Sequence, residues 1–348
     1  MTKNRPGPDE VKMTDVARLA RVSSATVSRA LRDLPGVSDD TRRRVREVAD
    51  ELSYVVSPEA SRLSRRETDR IAVVLPRLDT WFFSTVLSSI EHTMHERGVD
   101  VLVYQVAEER QRQIFFDRLP SRRKVDTVIL VAPPLRAEEE QRLDLLGVHV
   151  VVVSGRLRDF PHVEVDDYAM ARAATEHLLD LGHTRPALIR TTDTDGAVWS
   201  SDVSRQLGYR EAVAARHLAA RSVVVSEPYD VAAGARGMAR LLDLRHPPTA
   251  VLCYSDEIAV SALSELHRRG LRMPQDVSLI GIDGHPLAGL FGITSADQDV
   301  AGQGRIAASM ALRLMEGRPL AQSQMRVGWH LVDRGSTCAP GGGAPPDP

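Results

Sequence analysis

The stretch from Ser23 to Arg29, SSATVSR, sets three serine hydroxyls, one threonine hydroxyl and one guanidinium within two turns of a helix. These groups hydrogen-bond to oxygens and to base edges, and with no general base among them their chemistry is recognition, not turnover. On a helix that enters a major groove, Ser24, Ala25 and Arg29 are the side chains expected at bases. Ser23, Thr26 and Ser28 are expected nearer the phosphate backbone. Arg29 is the strongest reader of the set, because its fork matches O6 and N7 of guanine. Positive charge gathers close by: Arg42, Arg43, Arg44 and Arg46 form one run and Arg62, Arg65 and Arg66 a second. Residues 1–70 carry 15 Lys and Arg against 12 Asp and Glu, and the remainder 30 against 35, so a net charge of -2 conceals a positive front. That distribution suits a polyanion.

Other chemistry has less to stand on. GQGRIA, Gly302 to Ala307, satisfies G-x-G-x-x-A, but it follows ADQDV instead of a buried strand and lacks an acidic residue about twenty positions on. His92 and His95, with Glu91 and Glu96, lie off the apolar stripe of Leu87, Ile90 and Met94, as a solvated helix face would. There is no G-x-S-x-G elbow, P-loop or H-E-x-x-H, so no enzyme, metal site or cofactor is expected. Two cysteines, Cys253 and Cys338, make neither a disulfide framework nor a zinc finger. The polar start MTKNRPGPDE has no apolar signal region and no run approaches the ~18 residues of a membrane span, so a cytoplasmic protein with no membrane partner is expected.

The elements that must position the reading residues are legible around them. Val16, Leu19 and Ala20 form one apolar stripe and Ala25, Val27, Ala30 and Leu31 a second, with Ser23 where an N-cap belongs, which predicts a helix-turn-helix. In GVSDDTRRRVREVADELSY, Ser38 caps a third helix whose packing stripe is Val45, Val48, Ala49 and Leu52. After residue 70, β-branched runs alternate with amphipathic segments: RIAVVLP, VDVLVY, VDTVILVAP and GVHVVVVS, then PALIR, RSVVVSE, TAVLCYS and DVSLIGID. Two such series predict two doubly wound parallel sheets, with a break near RDFPHVEVDD and a last strand from VDRGST. The fold class expected is an all-α helix-turn-helix domain plus a two-lobed α/β domain. CAPGGGAPPDP can bury nothing and is expected to be disordered.

The succession DVARLARVSSATVSRAL, GVSDDTRRRVREVADELSY, ASRLSRR and IAVVLP, with later blocks ending in YSDEIAVSALSELHRRGLRMPQDVSLIGID and LVDRGST, resembles the lactose-repressor (LacI/GalR) family of bacterial transcription regulators. The resemblance covers almost the whole chain. It implies a homodimer that binds a near-palindromic double-stranded operator and a two-lobed domain, similar to periplasmic binding proteins, that closes on a small effector and thereby changes operator affinity. The domains it implies are a disordered N-terminus over 1–10, a helix-turn-helix domain over 11–56, a hinge helix over 57–66, an effector and dimerisation domain over 70–338, and a tail over 339–348. Lobe 1 is expected over about 70–165 and 295–322, lobe 2 over about 166–294 and 323–338. In the hinge, Leu63 matches the leucine the family inserts into the minor groove, Ala60 packs hinge against hinge, and Arg62 contacts DNA. An apolar wedge that unstacks a base step for a few kcal/mol bends the duplex toward more contact.

The chain departs from the family at three places in this half. Arg21 stands where a turn glycine is usual, and a left-handed backbone there would cost about 1 kcal/mol. Lys12 stands where a capping threonine is common, leaving Thr14 or Asp15 to shift the start of the first helix. Pro58 comes two places late, with Ser57 as its cap.

For the effector, the resemblance carries over Phe82 and Phe83, with Trp81 beside them, as a stacking segment. Arg205 is the arginine that grips the ligand from the second lobe and Asp283 an acceptor of ligand hydroxyls. Asp166, Tyr229, Ser255, Asp256 and Gln298 lie at or near other cleft positions. An aromatic platform with an arginine and an aspartate suits vicinal hydroxyls, hence a sugar or sugar derivative; a purine or nucleoside would use much the same set. Ser154-Gly155-Arg156 replaces the family's acidic residue ahead of an arginine after the fourth strand. The function implied is a sequence-specific transcription regulator, a repressor, controlled by this effector. A solute-binding receptor would need an export signal and no reading domain.

Overall fold

The computed structural model describes residues 12–31, 33–52, 54, 68–106, 110–115, 125–132, 137–143, 147–192 and 199–341, and the chain divides into two compact units between Thr68 and Asp69. The expected N-terminal segment 1–10 and hinge 57–66, with Ala60, Arg62 and Leu63, lie outside the described residues, as does the tail from 342. No helix among the described residues is long and apolar enough to cross a membrane.

The first unit is three helices, α1 (Met13–Leu19), α2 (Ser24–Leu31) and α3 (Asp39–Glu51). Each presents one narrow apolar face to a common core: Val16, Ala17 and Ala20, then Val27 and Ala30, then Val45 and Ala49. Burying each valine is worth about 1.5–3 kcal/mol, so this small core leaves little stability to spare. The first helix begins at Met13 with Lys12 as its cap residue, one position ahead of the expected start. Asp15 supplies the acceptor that lysine lacks, taking the Lys12 amide at 3.1 Å. Between α1 and α2 the chain closes a Schellman turn, with Val22 N donating to the Ala17 carbonyl at 3.0 Å and Arg21 left-handed at φ 52°. An arginine holds the glycine position there. Ser23 then caps α2, its Oγ accepting from Thr26 N at 3.1 Å, and Ser38 caps α3 through Thr41 N at 3.3 Å.

The first arginine run also pairs within this unit. Arg42 and Arg46 both bind Asp33, at 2.8 and 2.6 Å; Arg43 binds Asp40; and Arg44 donates to the Ala20 carbonyl at 3.2 Å. Arg42, Arg44 and Arg46 fasten α3 to the turns that follow α1 and α2, while the Arg43 pair lies within α3.

The second unit holds two six-stranded sheets. The first is built from β1 (Arg70–Leu75), β2 (Asp100–Gln105), β3 (Thr127–Val131), β4 (His149–Val153) and β5 (His162–Val165), with α4 (Trp81–His95) after β1 and α5 (Ala137–Leu143) after β3. The second contains β6 (Pro186–Thr192), β7 (Val223–Pro228), β8 (Ala250–Cys253), β9 (Ser278–Asp283) and β10 (Thr294–Asp297). Its helices are α6 (Asp167–Asp180), α7 (Ser200–Ala215), α8 (Ala233–Leu242), α9 (Asp256–Arg268) and α10 (Pro286–Leu290). The chain then runs through α11 (Val300–Met315), β11 (Gln324–Val327) and β12 (His330–Val332). The strand orders are β11-β5-β4-β3-β1-β2 and β12-β10-β9-β8-β6-β7. All pairs are parallel except β10 with β12. Central strands such as β3 and β9 are buried along their whole length, which is why they read as unbroken apolar runs.

Two boundaries differ from the expectation. Thr294–Asp297 pairs with β9 and so belongs to the second sheet, whereas Gln324–Val327 pairs with β5 and belongs to the first. The chain therefore crosses between lobes three times: after β5, after β10, and between β11 and β12. The last strand is His330–Val332, with Asp333 to Thr337 running on as a coil whose Ser336 carbonyl accepts from Leu279 N at 2.9 Å. GQGRIA lies inside α11, where Gly304 lets that helix approach α4: a Cβ would stand 2.7 Å from the Val86 carbonyl. That packing accounts for the glycine. His92 and His95 are exposed on α4, His92 beside Glu96.

Candidate functional site

On α2 the core residues Val27 and Ala30 face inward and leave Ser24, Ala25 and Arg29 exposed on the other side, with Ser28 half-buried. Ser23 and Thr26 are joined hydroxyl to hydroxyl at 2.8 Å, so both are tied into the cap. Arg29 passes over Gly36, whose added Cβ would lie 3.6 Å from Nη1, and no ion pair holds its guanidinium among the described residues. A short-chained helix face with one long, exposed fork can enter a groove and make one bidentate contact.

In the second unit the strand ends of both sheets face one cleft, where open α/β sheets bind their ligands. Arg205, on α7 and only 5% exposed, is its centre. Its Nε donates to Asp167 Oδ1 at 2.7 Å and its Nη1 to the Tyr254 carbonyl at 2.6 Å. Nη2 lies 3.8 Å from Asp283 Oδ1, and the guanidinium carbon stands 4.7 Å from the centre of the Tyr254 ring. Burial works against this charge, but Asp167, Tyr254 and Asp283 outweigh it and raise the Arg205 pKa above its ordinary value. Burial pushes the Asp283 carboxyl well above the usual carboxylate range; Arg205 opposes that and Asp256 adds to it.

A chain of amides joins this centre to the first lobe. Gln298 Nε2 donates to Asp283 at 2.6 Å, Gln303 Nε2 donates to Gln298 Oε1 at 3.1 Å, and Ser154 Oγ donates to Gln303 Oε1. Aromatic walls close the space: Phe82 and Phe83 meet edge to face at 5.2 Å, and Phe83 meets Trp199 at 6.1 Å. Three non-glycine residues at strand ends lining the cleft have positive φ: Ala132 at 41°, Ser154 at 54° and Asp283 at 122°. Backbone strain of this kind costs about 1–3 kcal/mol per residue and gathers at functional sites. Two buried polar atoms in the walls, Thr80 Oγ1 and Trp199 Nε1, have no hydrogen-bond partner among the described residues. An unanswered buried donor costs about 1–3 kcal/mol, which a bound molecule would return. Only about 40 Å³ of open space remains between the walls, well below the several hundred Å³ of an occupied ligand site.

Of the expected effector residues, Phe82, Phe83, Arg205, Tyr229, Asp283 and Gln298 line this cleft together. Four others stand elsewhere. Asp166 caps α6 through Ala169 N at 2.9 Å and binds Arg326, and its neighbour Asp167 holds the cleft position. Ser255 caps α9 through Ile258 N at 3.3 Å. Asp256 is fully buried beneath the cleft, where it accepts from His285 N at 2.7 Å and Ser295 Oγ at 2.8 Å. Burial raises its pKa to about 7. Trp81 is at the edge, its ring 4.7 Å from that of His285. Sequence reasoning missed Thr80, Trp199, Ser201, Tyr254 and Glu257. Tyr254 was within reach, since it follows a strand run directly; Trp199 sits in a loop with no periodicity to mark it. Among the described residues no group of three or more His, Cys, Asp or Glu could hold a metal ion.

Comparison with known proteins agrees with both halves. A profile of bacterial regulatory proteins of the lacI family matches residues 12–57, and a periplasmic binding protein-like profile matches residues 175–337. The HTH-type transcriptional repressor CytR of Escherichia coli K12 is 32% identical over 94% of this chain and 96% of its own. Among solved structures, the regulator CelR in complex with cellobiose is 26% identical, covers 94% of this chain and 99% of its own, and gives a TM-score of 0.67. The lac repressor dimer bound to operator is 22% identical, with 95% and 100% coverage and a TM-score of 0.83, a likeness of fold. The chain is accordingly a DNA-binding transcriptional regulator with an effector-binding domain, and it belongs to the lacI family of bacterial regulatory proteins.

Proposed function

We propose that this regulator acts in the cytoplasm as a homodimeric repressor whose operator affinity is set by a sugar or sugar derivative held in the cleft around Arg205. The observation that carries the reading is the buried set Asp167, Arg205 and Asp283 beside an aromatic wall: carboxylates and a guanidinium take vicinal hydroxyls in pairs, and the rings take the apolar face of a pyranose. CelR, solved in complex with cellobiose, supports the class. A nucleoside is the second reading, favoured by the unanswered Trp199 Nε1, an N–H positioned for a base carbonyl or ring nitrogen.

Ser24, Ala25 and Arg29 are assigned to bases, and Ser23, Thr26 and Ser28 to the backbone. Leu63 is assigned to the minor groove at the operator centre, Ala60 to the packing of hinge against hinge, and Arg62 to a sequence-independent DNA contact. Exposed Leu287, Leu290 and Phe291, at i, i+3 and i+4 from α10, support a second copy of the chain as partner. Linkage then requires only that the effector prefer one lobe arrangement over the other. Selection of bound sequences from a random duplex pool at fixed salt, with and without a sugar and nucleoside panel, tests this. A near-palindrome released or tightened by one ligand class is the expected result; no enriched sequence overturns it.

A further inference from the structure

A circuit of contacts joins the two lobes beside the cleft. Arg77, at the end of β1 in the first lobe, is fixed by Asp79, with Nε to Oδ1 at 3.1 Å and Nη2 to Oδ2 at 3.2 Å. Its guanidinium lies 4.4 Å from the centre of the Tyr229 ring, on the second lobe, and reaches the Tyr229 carbonyl at 3.5 Å. Tyr229 Oη donates to Glu257 Oε2 at 2.7 Å. The other oxygen, Glu257 Oε1, accepts the backbone N–H of Trp81 at 3.2 Å, which returns the circuit to the first lobe only four residues from Arg77. Two of its members, Tyr229 and Glu257, are effector-cleft walls.

We propose that Arg77, Tyr229, Glu257 and the Trp81 amide form an interlobe latch that ties the two lobes together beside the cleft. The inference rests on the reading of the cleft as an effector site. The Arg77 guanidinium against the Tyr229 ring and the Tyr229 hydroxyl on the Glu257 carboxylate are both contacts between a charge and its complement. A change of lobe arrangement must break them, so latch strength sets how much effector is needed before the lobes respond.

Trp81 supplies the test. It is the first residue of α4, so its N–H has no acceptor within the helix and is protected only while Glu257 of the other lobe covers it. Residue-resolved hydrogen exchange on the full chain without ligand is expected to find this amide slowed at least tenfold against its unprotected rate. Arg77→Ala and Tyr229→Phe should each speed it at least tenfold, while Ile90 and Met94 later in α4 exchange as before and report that the fold is intact. Arg77→Lys should restore part of the protection. Free exchange at Trp81 in the unaltered chain, or no change in either variant, overturns the latch. Binding of the sugar and nucleoside panel to the same samples separates the two readings: a protected and releasable Trp81 with no ligand bound sustains the latch and defeats the effector site.

Discussion

In the proposed function Arg29 is the residue on which sequence recognition turns, because the side chains around it are too short to reach across a base pair. Arg29→Ala should cost about 1–3 kcal/mol of operator binding and relax one position, measured by competition against single-base variants; equal losses at every position would reassign it to the backbone. Asp256 makes a second prediction at this scale. Its pKa in the folded chain, about 7, stands above the ordinary carboxylate value because of burial. The stability it contributes is then full below the unfolded value and lost as pH rises through about 7. Asp256→Asn keeps an acceptor for His285 N and Ser295 and removes the charge, so thermal unfolding from pH 5 to 8 should flatten; an unchanged slope would place the titration elsewhere. The residues were legible unevenly. Arg205 and Asp283 could be placed because each sits in a distinctive block. Asp166 and Asp167 are adjacent carboxylates, and only the backbone decides which becomes the cap and which faces Arg205.

Elements followed the apolar pattern closely where one face or both are buried, as in α2, α3 and the central strands. The pattern could not say which sheet a short strand joins. β10 and β11 are brief and of mixed character, and their pairing is fixed by the crossings, not by their own residues. Two changes test element-level packing. Arg21→Gly relieves the left-handed turn between α1 and α2 and should stabilise the first unit by about 0.5–1 kcal/mol in denaturant unfolding, the larger strain being partly offset by a more flexible unfolded chain. Gly304→Val would drive a branched side chain into the backbone of α4 and should destabilise the second unit by about 1–3 kcal/mol, whereas the same change at exposed Gly328, with nothing near its Cβ, should stay within about 0.5 kcal/mol.

At the scale of the whole molecule, control of DNA binding needs two lobe arrangements of nearly equal free energy. In the proposed latch, the Arg77 circuit sets that balance from within the effector-binding domain. The two series of alternating strands and helices had suggested two lobes, but nothing in them foretold how narrow the cleft between them would be.

The three crossings carry a consequence for synthesis. The first sheet waits for β11, at residues 324–327, and the second for β12, at residues 330–332, so neither is complete until this one short stretch has been made. The two lobes must therefore finish folding together, and a nascent chain stalled near Gly317 would present two open sheet edges at once.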